Sequence, residues 1–151
     1  MTGPPASGKT TYVLNHASPG AIVVDYDLLA AALTAGAADT HRHPRPVQQV
    51  AHRARRAAVR EGLRQARSHE VWVVHSAPSP DALAEYQAHH AHLITIDPGQ
   101  DVVLARCEQL RPPGSRDAAL RWYAQRDHLP PTTLHAQSDI TVSNDHGSRD
   151  W

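Results

Sequence analysis

Scarcity is the first feature of this 151-residue sequence, which holds one cysteine, Cys107, one lysine, Lys9, no phenylalanine, and acidic and basic side chains in equal number, for a formal charge of zero. A lone cysteine excludes an internal disulfide and fits a reducing compartment; Cys107 is expected to pack as a small apolar residue on a helix. Zero net charge excludes a global field that would draw in nucleic acid or a membrane surface. No apolar run reaches the roughly 18 residues of a membrane span, and a glycine-rich stretch stands where a secretory signal needs continuous apolar residues. The expectation is a soluble, cytoplasmic protein with no membrane partner.

All but one of the 15 basic residues are arginine. In a chain with that bias, Lys9 marks a position where a guanidinium fork is too wide and a compact ammonium is required.

With 40% hydrophobic residues, the chain is long enough for one domain spanning residues 1–151 and short for two. Four β-branched runs read as buried strands: Ala21-Ile22-Val23-Val24, Val71-Trp72-Val73-Val74, His92-Leu93-Ile94-Thr95-Ile96 and Asp139-Ile140-Thr141-Val142. Between them, helical spacing covers about 10–17, 27–36, 46–68, 80–90, 100–110 and 116–127, with proline and glycine at the breaks. Short apolar strands alternating with helices predict an α/β fold of three αβα layers around a mainly parallel sheet.

Gly3-Pro4-Pro5-Ala6-Ser7-Gly8-Lys9-Thr10 matches G-x-x-x-x-G-K-[ST] at every fixed position, the pattern of a P-loop NTPase. Its glycines let successive backbone N–H groups turn inward on a phosphate, and the following helix presents its positive end. In such a loop Lys9 bridges the terminal phosphates of ATP or GTP, and the Thr10 hydroxyl ligates Mg²⁺. Thr11 is either a further phosphate contact or a surface residue. Such a loop normally follows a buried strand, yet only Met1 and Thr2 precede Gly3. The first strand is therefore expected to be truncated, or the natural product to begin several residues upstream.

Ligands of open parallel sheets gather outside the carboxyl ends of the strands. Asp25-Tyr26-Asp27 stands there, directly after Ala21–Val24. One aspartate can accept a proton from an acceptor hydroxyl while the other holds a water of the Mg²⁺ shell; capping of the next helix by Asp27 is the structural alternative. The Val71–Val74 strand ends in His75-Ser76-Ala77-Pro78, without the acid that motor ATPases carry at this point. His75 and Ser76 are either acceptor contacts or a structural pair.

GPPASGKTTYV, IVVDYD and VVHSAPSPDALAEY together resemble the small P-loop kinases of the polynucleotide-kinase type, and the similarity extends to short ATPases often encoded by phages of high-GC bacteria. The resemblance covers most of the chain, and only the phosphate loop is highly specific. It implies Asp27 as the base that activates an acceptor hydroxyl, with Asp25 beside it. Those kinases place an arginine three residues beyond the aspartate to hold an acceptor phosphate, and here the position is Ala30. The resemblance also implies a lid at about 104–118 that brings arginines onto the phosphates, with Arg111 and then Arg106 the best matches. Trp122 and Tyr123 read as packing residues.

On a helix over Val47–Ser68, Arg53, Arg56, Arg60, Arg64 and Arg67 fall within about 80° of one another. Such a stripe either tracks a nucleic-acid backbone or is a solvated face, and the solvated face is the simpler reading. His41-Arg42-His43 and His89-His90-Ala91-His92 have no carboxylate or cysteine cluster with them and are expected on the surface. The tail at about 146–151 is expected to be loosely ordered.

The sequence thus points to γ-phosphoryl transfer from Mg·ATP to a nucleotide, a polynucleotide 5′-hydroxyl or another small acceptor. The second reading is a nucleotide-binding switch or degenerate ATPase module without a kinase acceptor. An accessory protein that binds nucleic acid through the arginine stripe is a third.

Overall fold

The computed structural model describes residues 1–36, 41–126 and 133–135. Helix α1 (Lys9–His16) precedes strand β1 (Ile22–Val24), helices α2 (Tyr26–Ala32) and α3 (Arg45–Gln65), and strand β2 (Val71–Val73). Helix α4 (Pro80–Ala88), strand β3 (Ile94–Ile96), helices α5 (Gln100–Leu110) and α6 (Ser115–Gln125), and strand β4 (Thr133–His135) complete the order.

The two parallel pairs have the registers Ile22↔Val71 through Val24↔Val73 and Ile94↔Thr133 through Ile96↔His135. Met1 and Thr2 join them. The Met1 backbone nitrogen donates to Val73 O, and His75 N donates to Met1 O at 2.9 Å. On the other side Thr2 N donates to Ile94 O at 2.7 Å and Ile96 N to Thr2 O at 3.0 Å, a parallel bridge with Thr95. Met1 and Thr2 are thus a two-residue stub of strand in the centre of the sheet, in the order β1, β2, stub, β3, β4. The Thr2 and Thr95 hydroxyls meet at 2.6 Å across it.

Strand alternation divides the core between two helical layers. Val23, Trp72 and Val74 pack with Met1, Val13 and Ile96 against α1, whereas Ile22, Val24 and Val73 pack with Val59, Leu63 and Tyr86 of α3 and α4. This is the αβα arrangement of a P-loop NTPase-like fold. Gly62 lets α3 lie close to the sheet, since a Cβ there would stand 3.2 Å from Val71 Cγ1. A third cluster, Val103, Cys107 and Ala119, holds α5 to α6 and receives Ala6 of the phosphate loop. Cys107 is buried on its helix as the sequence implies.

Local chemistry sets the helix starts. Ser79 caps α4 by accepting from Ala82 N at 3.3 Å, with Pro80 in the first turn. Helix α2 begins at Tyr26 and ends by Ala32, four residues short of the reading to 36, because Leu33 to Gly36 turns away and Thr34 Oγ1 donates to Ala30 O at 2.7 Å. Strand β4 is not among the strands read from the sequence: its Thr-Leu-His carries no apolar run, and its strand character comes from pairing along β3. The strand expected at 139–142 and the tail at 146–151 lie outside the described residues. Among the described residues no helix is long and apolar enough to cross a membrane.

Candidate functional site

The loop from Gly3 to Gly8 is held in a conformation that few sequences accept. Gly3 has φ +133°, and a Cβ there would sit 2.2 Å from Ile96 O, so the loop can lie against β3 only with glycine. Gly8 (φ 96°) turns the chain into α1 from the left-handed region, and Ala6 adopts φ 58°. No side chain caps α1, whose first N–H groups open into the loop.

Lys9 is only 7% exposed, and its Nζ donates to Gly3 O at 3.0 Å, Pro4 O at 2.6 Å and Ser7 Oγ at 3.3 Å. These partners are neutral oxygens. Burial, and then the nearby Arg111 charge, hold the Lys9 ammonium down to about 8, against the opposing pull of Asp25 and Asp27. A buried ammonium with neutral partners next to unclaimed helix N–H groups is a donor set that fits a polyphosphate. Thr10 Oγ1 donates to Asp25 Oδ2 at 2.6 Å, a pair of hard oxygens of the kind that Mg²⁺ accepts.

Asp25, 3% exposed, also takes the capping role that the sequence left to Asp27: its Oδ1 accepts from Asp27 N at 2.7 Å at the start of α2. Asp27 is thereby left for other contacts. Its Oδ2 accepts from Arg111 Nη1 at 2.8 Å. The same amino group donates to His41 Nδ1 at 2.7 Å, and because a guanidinium only donates, that ring nitrogen is the acceptor. His41 Nδ1 lies 3.2 Å from Asp27 Oδ2, with one Arg111 amino group between the two acceptors. This corrects the expected surface placement of the first histidine group. His41 adjoins the aspartate, and His43 is 8% exposed with its Nδ1 2.9 Å from Thr34 Oγ1. His89, His90 and His92 are exposed as expected, and no group of three or more metal-ligating side chains occurs among the described residues.

These elements enclose a cleft of about 430 Å³. Lys9, Thr10 and Thr11 line one side, Asp25, Tyr26 and Asp27 another, and His75, Ser76 and Arg111 also face it. Arg106 does not: it is half-buried on α5 and lies outside the cleft lining. Trp122 packs as expected, with its Nε1 donating to Ser76 O at 3.0 Å, and Tyr123 donates its hydroxyl to Asp97 Oδ1. His75 Nδ1 meets the Tyr86 hydroxyl at 2.9 Å, and burial together with the Arg55 charge pushes its imidazole down to about 4, so it is neutral at pH 7.

Two residues of α3 complete the cleft lining, His52 and Arg55. His52 stacks on Tyr26 with centroids 4.5 Å apart, and Arg55 Nη2 donates to Val74 O at 2.6 Å. Helical spacing did carry a signal for Arg55. It stands about 140° from the centre of the arginine stripe, on the side that faces the sheet. Arg53, Arg56, Arg60, Arg64 and Arg67 of the stripe are all exposed.

The family model described as an AAA domain matches residues 1–118, from the phosphate loop through Asp25, Asp27 and Arg111 into α6. The chain belongs to the AAA domain family. A search of curated proteins and a search of solved structures each return no match. For this AAA domain the family affiliation carries P-loop nucleotide binding of the kinase or ATPase kind. Mg²⁺ accompanies the nucleotide across such families, in keeping with the Thr10–Asp25 oxygen pair.

Proposed function

We propose that this AAA domain is a kinase that transfers the γ-phosphoryl group of ATP or GTP to a small acceptor in the cytoplasm, with 1–151 acting as one domain. The observation that carries the reading is the placement of Asp27, with its Arg111 partner, in one cleft with Lys9 and Thr10. Asp25 already serves as helix cap and partner of Thr10, so Asp27 is the carboxylate left for an acceptor.

In this reading the backbone from Gly3 to Gly8, with Pro4, Pro5, Ala6 and Ser7 between, cradles the donor phosphates, and Lys9 exchanges its carbonyl partners for phosphate oxygens. Thr10 and Asp25 hold Mg²⁺, which when bound draws charge from the phosphoryl oxygens. Asp27 takes the proton of the acceptor hydroxyl as its oxygen forms a bond to the γ-phosphorus, and the bond to the bridging oxygen breaks to release the nucleoside diphosphate. Residues about 104–118 act as the lid. Arg111 lies at the end of α5, where movement of the α5–α6 connection carries its guanidinium from Asp27 to the transferring group. That exchange frees the base as it brings in the countercharge.

Incubation with γ-labelled ATP, Mg²⁺ and separate pools of nucleosides, nucleotides and 5′-hydroxyl oligonucleotides tests the reading; label appears in at least one pool. If no pool is labelled while nucleotide still binds through Lys9, the switch reading replaces it. A buried Ala30 at the acceptor-arginine position and a neutral His75 after β2 favour that second reading. Oligonucleotide binding that weakens steeply with salt would bring in the exposed stripe of α3.

A further inference from the structure

We propose that Arg55 is an anion-binding residue of the acceptor side of the cleft, so that the acceptor is an alcohol that already carries a phosphate group. The inference rests on the kinase reading for the word acceptor, and on the structure for the anion.

Arg55 is half-buried in the cleft wall. Its Nη2 is fixed by Val74 O at the carboxyl end of β2, and it also hydrogen-bonds the Tyr86 hydroxyl. Both partners are neutral, and no ion pair among the described residues includes it. A guanidinium has five donors, and the Val74 and Tyr86 bonds anchor the group while leaving the remaining donors of its planar fork available to an oxyanion.

The surrounding charges leave the role open to a ligand. Asp27 is held by Arg111 and Asp25 by Thr10 and the α2 backbone, so neither cleft carboxylate is paired with Arg55. His75 beside it is neutral, so among the described residues neither a histidine charge nor a carboxylate pair engages the guanidinium. Lys9 serves the phosphate loop; Arg55 enters from α3 and lines the same cleft as the stacked Tyr26–His52 pair and Asp27. On the α2 side, Ala30 is fully buried and supplies no cation. A single fixed guanidinium in a partly desolvated cleft recognises a phosphate more strongly than an exposed one does.

The test is calorimetric binding to the whole chain saturated with Mg²⁺ and a non-hydrolysable ATP analogue. Two matched pairs are titrated, adenosine against adenosine 3′-phosphate and ribose against ribose 5-phosphate. The wild type is expected to bind the phosphorylated member of at least one pair about tenfold or more tightly, and Arg55→Gln to remove that preference while leaving analogue affinity within about threefold. Arg55→Lys, which keeps the charge, is expected to retain part of the preference, and a melting curve for each variant confirms folding. Absence of preference in the wild type, or a preference that survives in folded Arg55→Gln, overturns the proposal. Loss of analogue affinity in Arg55→Gln also overturns it by assigning Arg55 to the donor phosphates. Failure of the kinase reading is separate: no transfer of label, with the phosphate preference intact, removes the reaction and leaves the Arg55 site.

Discussion

Arg111 and Asp27 meet at 2.8 Å although 84 residues separate them, and the pair ties the end of α5 to the start of α2 across the mouth of the cleft. Each side chain is about a quarter exposed. Such a pair contributes about 1 kcal/mol or less to stability, so its weight falls on function. Arg111→Ala should therefore melt close to the wild type while phosphoryl transfer falls by about 10³-fold. Arg111→Lys should recover little, because an ammonium lacks the planar fork. Single-turnover transfer and a melting curve on the same samples check both.

The two aspartates should separate by role. Asp27→Asn is expected to lower transfer by about 10²–10⁴-fold with nucleotide affinity retained. Asp25→Asn keeps a side chain that caps α2, yet should raise the Mg²⁺ concentration needed for half-maximal activity. Asp25→Ala should add a stability loss of about 1 kcal/mol from the lost cap. Mg²⁺ titration and chemical denaturation distinguish these outcomes.

Lys9 makes nucleotide binding depend on pH. Its ammonium sits at about 8 in the folded protein and near 10.5 when unfolded, so between those values the unfolded chain binds more protons and Lys9 contributes a rise in stability with pH. Phosphate binding favours the charged form, so above pH 8 nucleotide should bind with proton uptake and with falling affinity. Calorimetry in buffers of different ionisation enthalpy measures the uptake, and Lys9→Met should abolish it together with most of the affinity.

Gly3→Ala should move the phosphate loop. The added methyl would stand 2.2 Å from Ile96 O at a φ of +133°, a conformation that alanine rarely adopts. A stability loss of about 3 kcal/mol is expected in chemical denaturation, with weakened nucleotide binding. A wild-type melting profile would show that β3 retreats to make room.

The phosphate loop was legible because its chemistry is local. Gly3, Gly8, Lys9 and Thr10 need fixed spacing along one segment, and a pattern records spacing. Asp25 and Asp27 were legible as a pair but not as individuals, since which of them caps α2 depends on the direction each side chain takes once Thr10 is beside it. His41 looked like one histidine among twelve. Only the approach of Arg111 gives it a partner in the cleft, and no short-range pattern connects positions 70 residues apart.

By itself the sequence determined the alternation of strand and helix, the phosphate loop and the αβα class, because each follows from periodicity or from backbone geometry within a few residues. Tertiary structure decided the rest. It closed the sheet through Met1 and Thr2, made a strand of Thr133–His135 by pairing it with β3, turned Arg55 inward from a helix whose other arginines face solvent, and left Arg106 outside the cleft. These outcomes depend on which edges and faces meet across long separations, where hydrogen-bond pairing and burial act between elements that the linear sequence keeps apart.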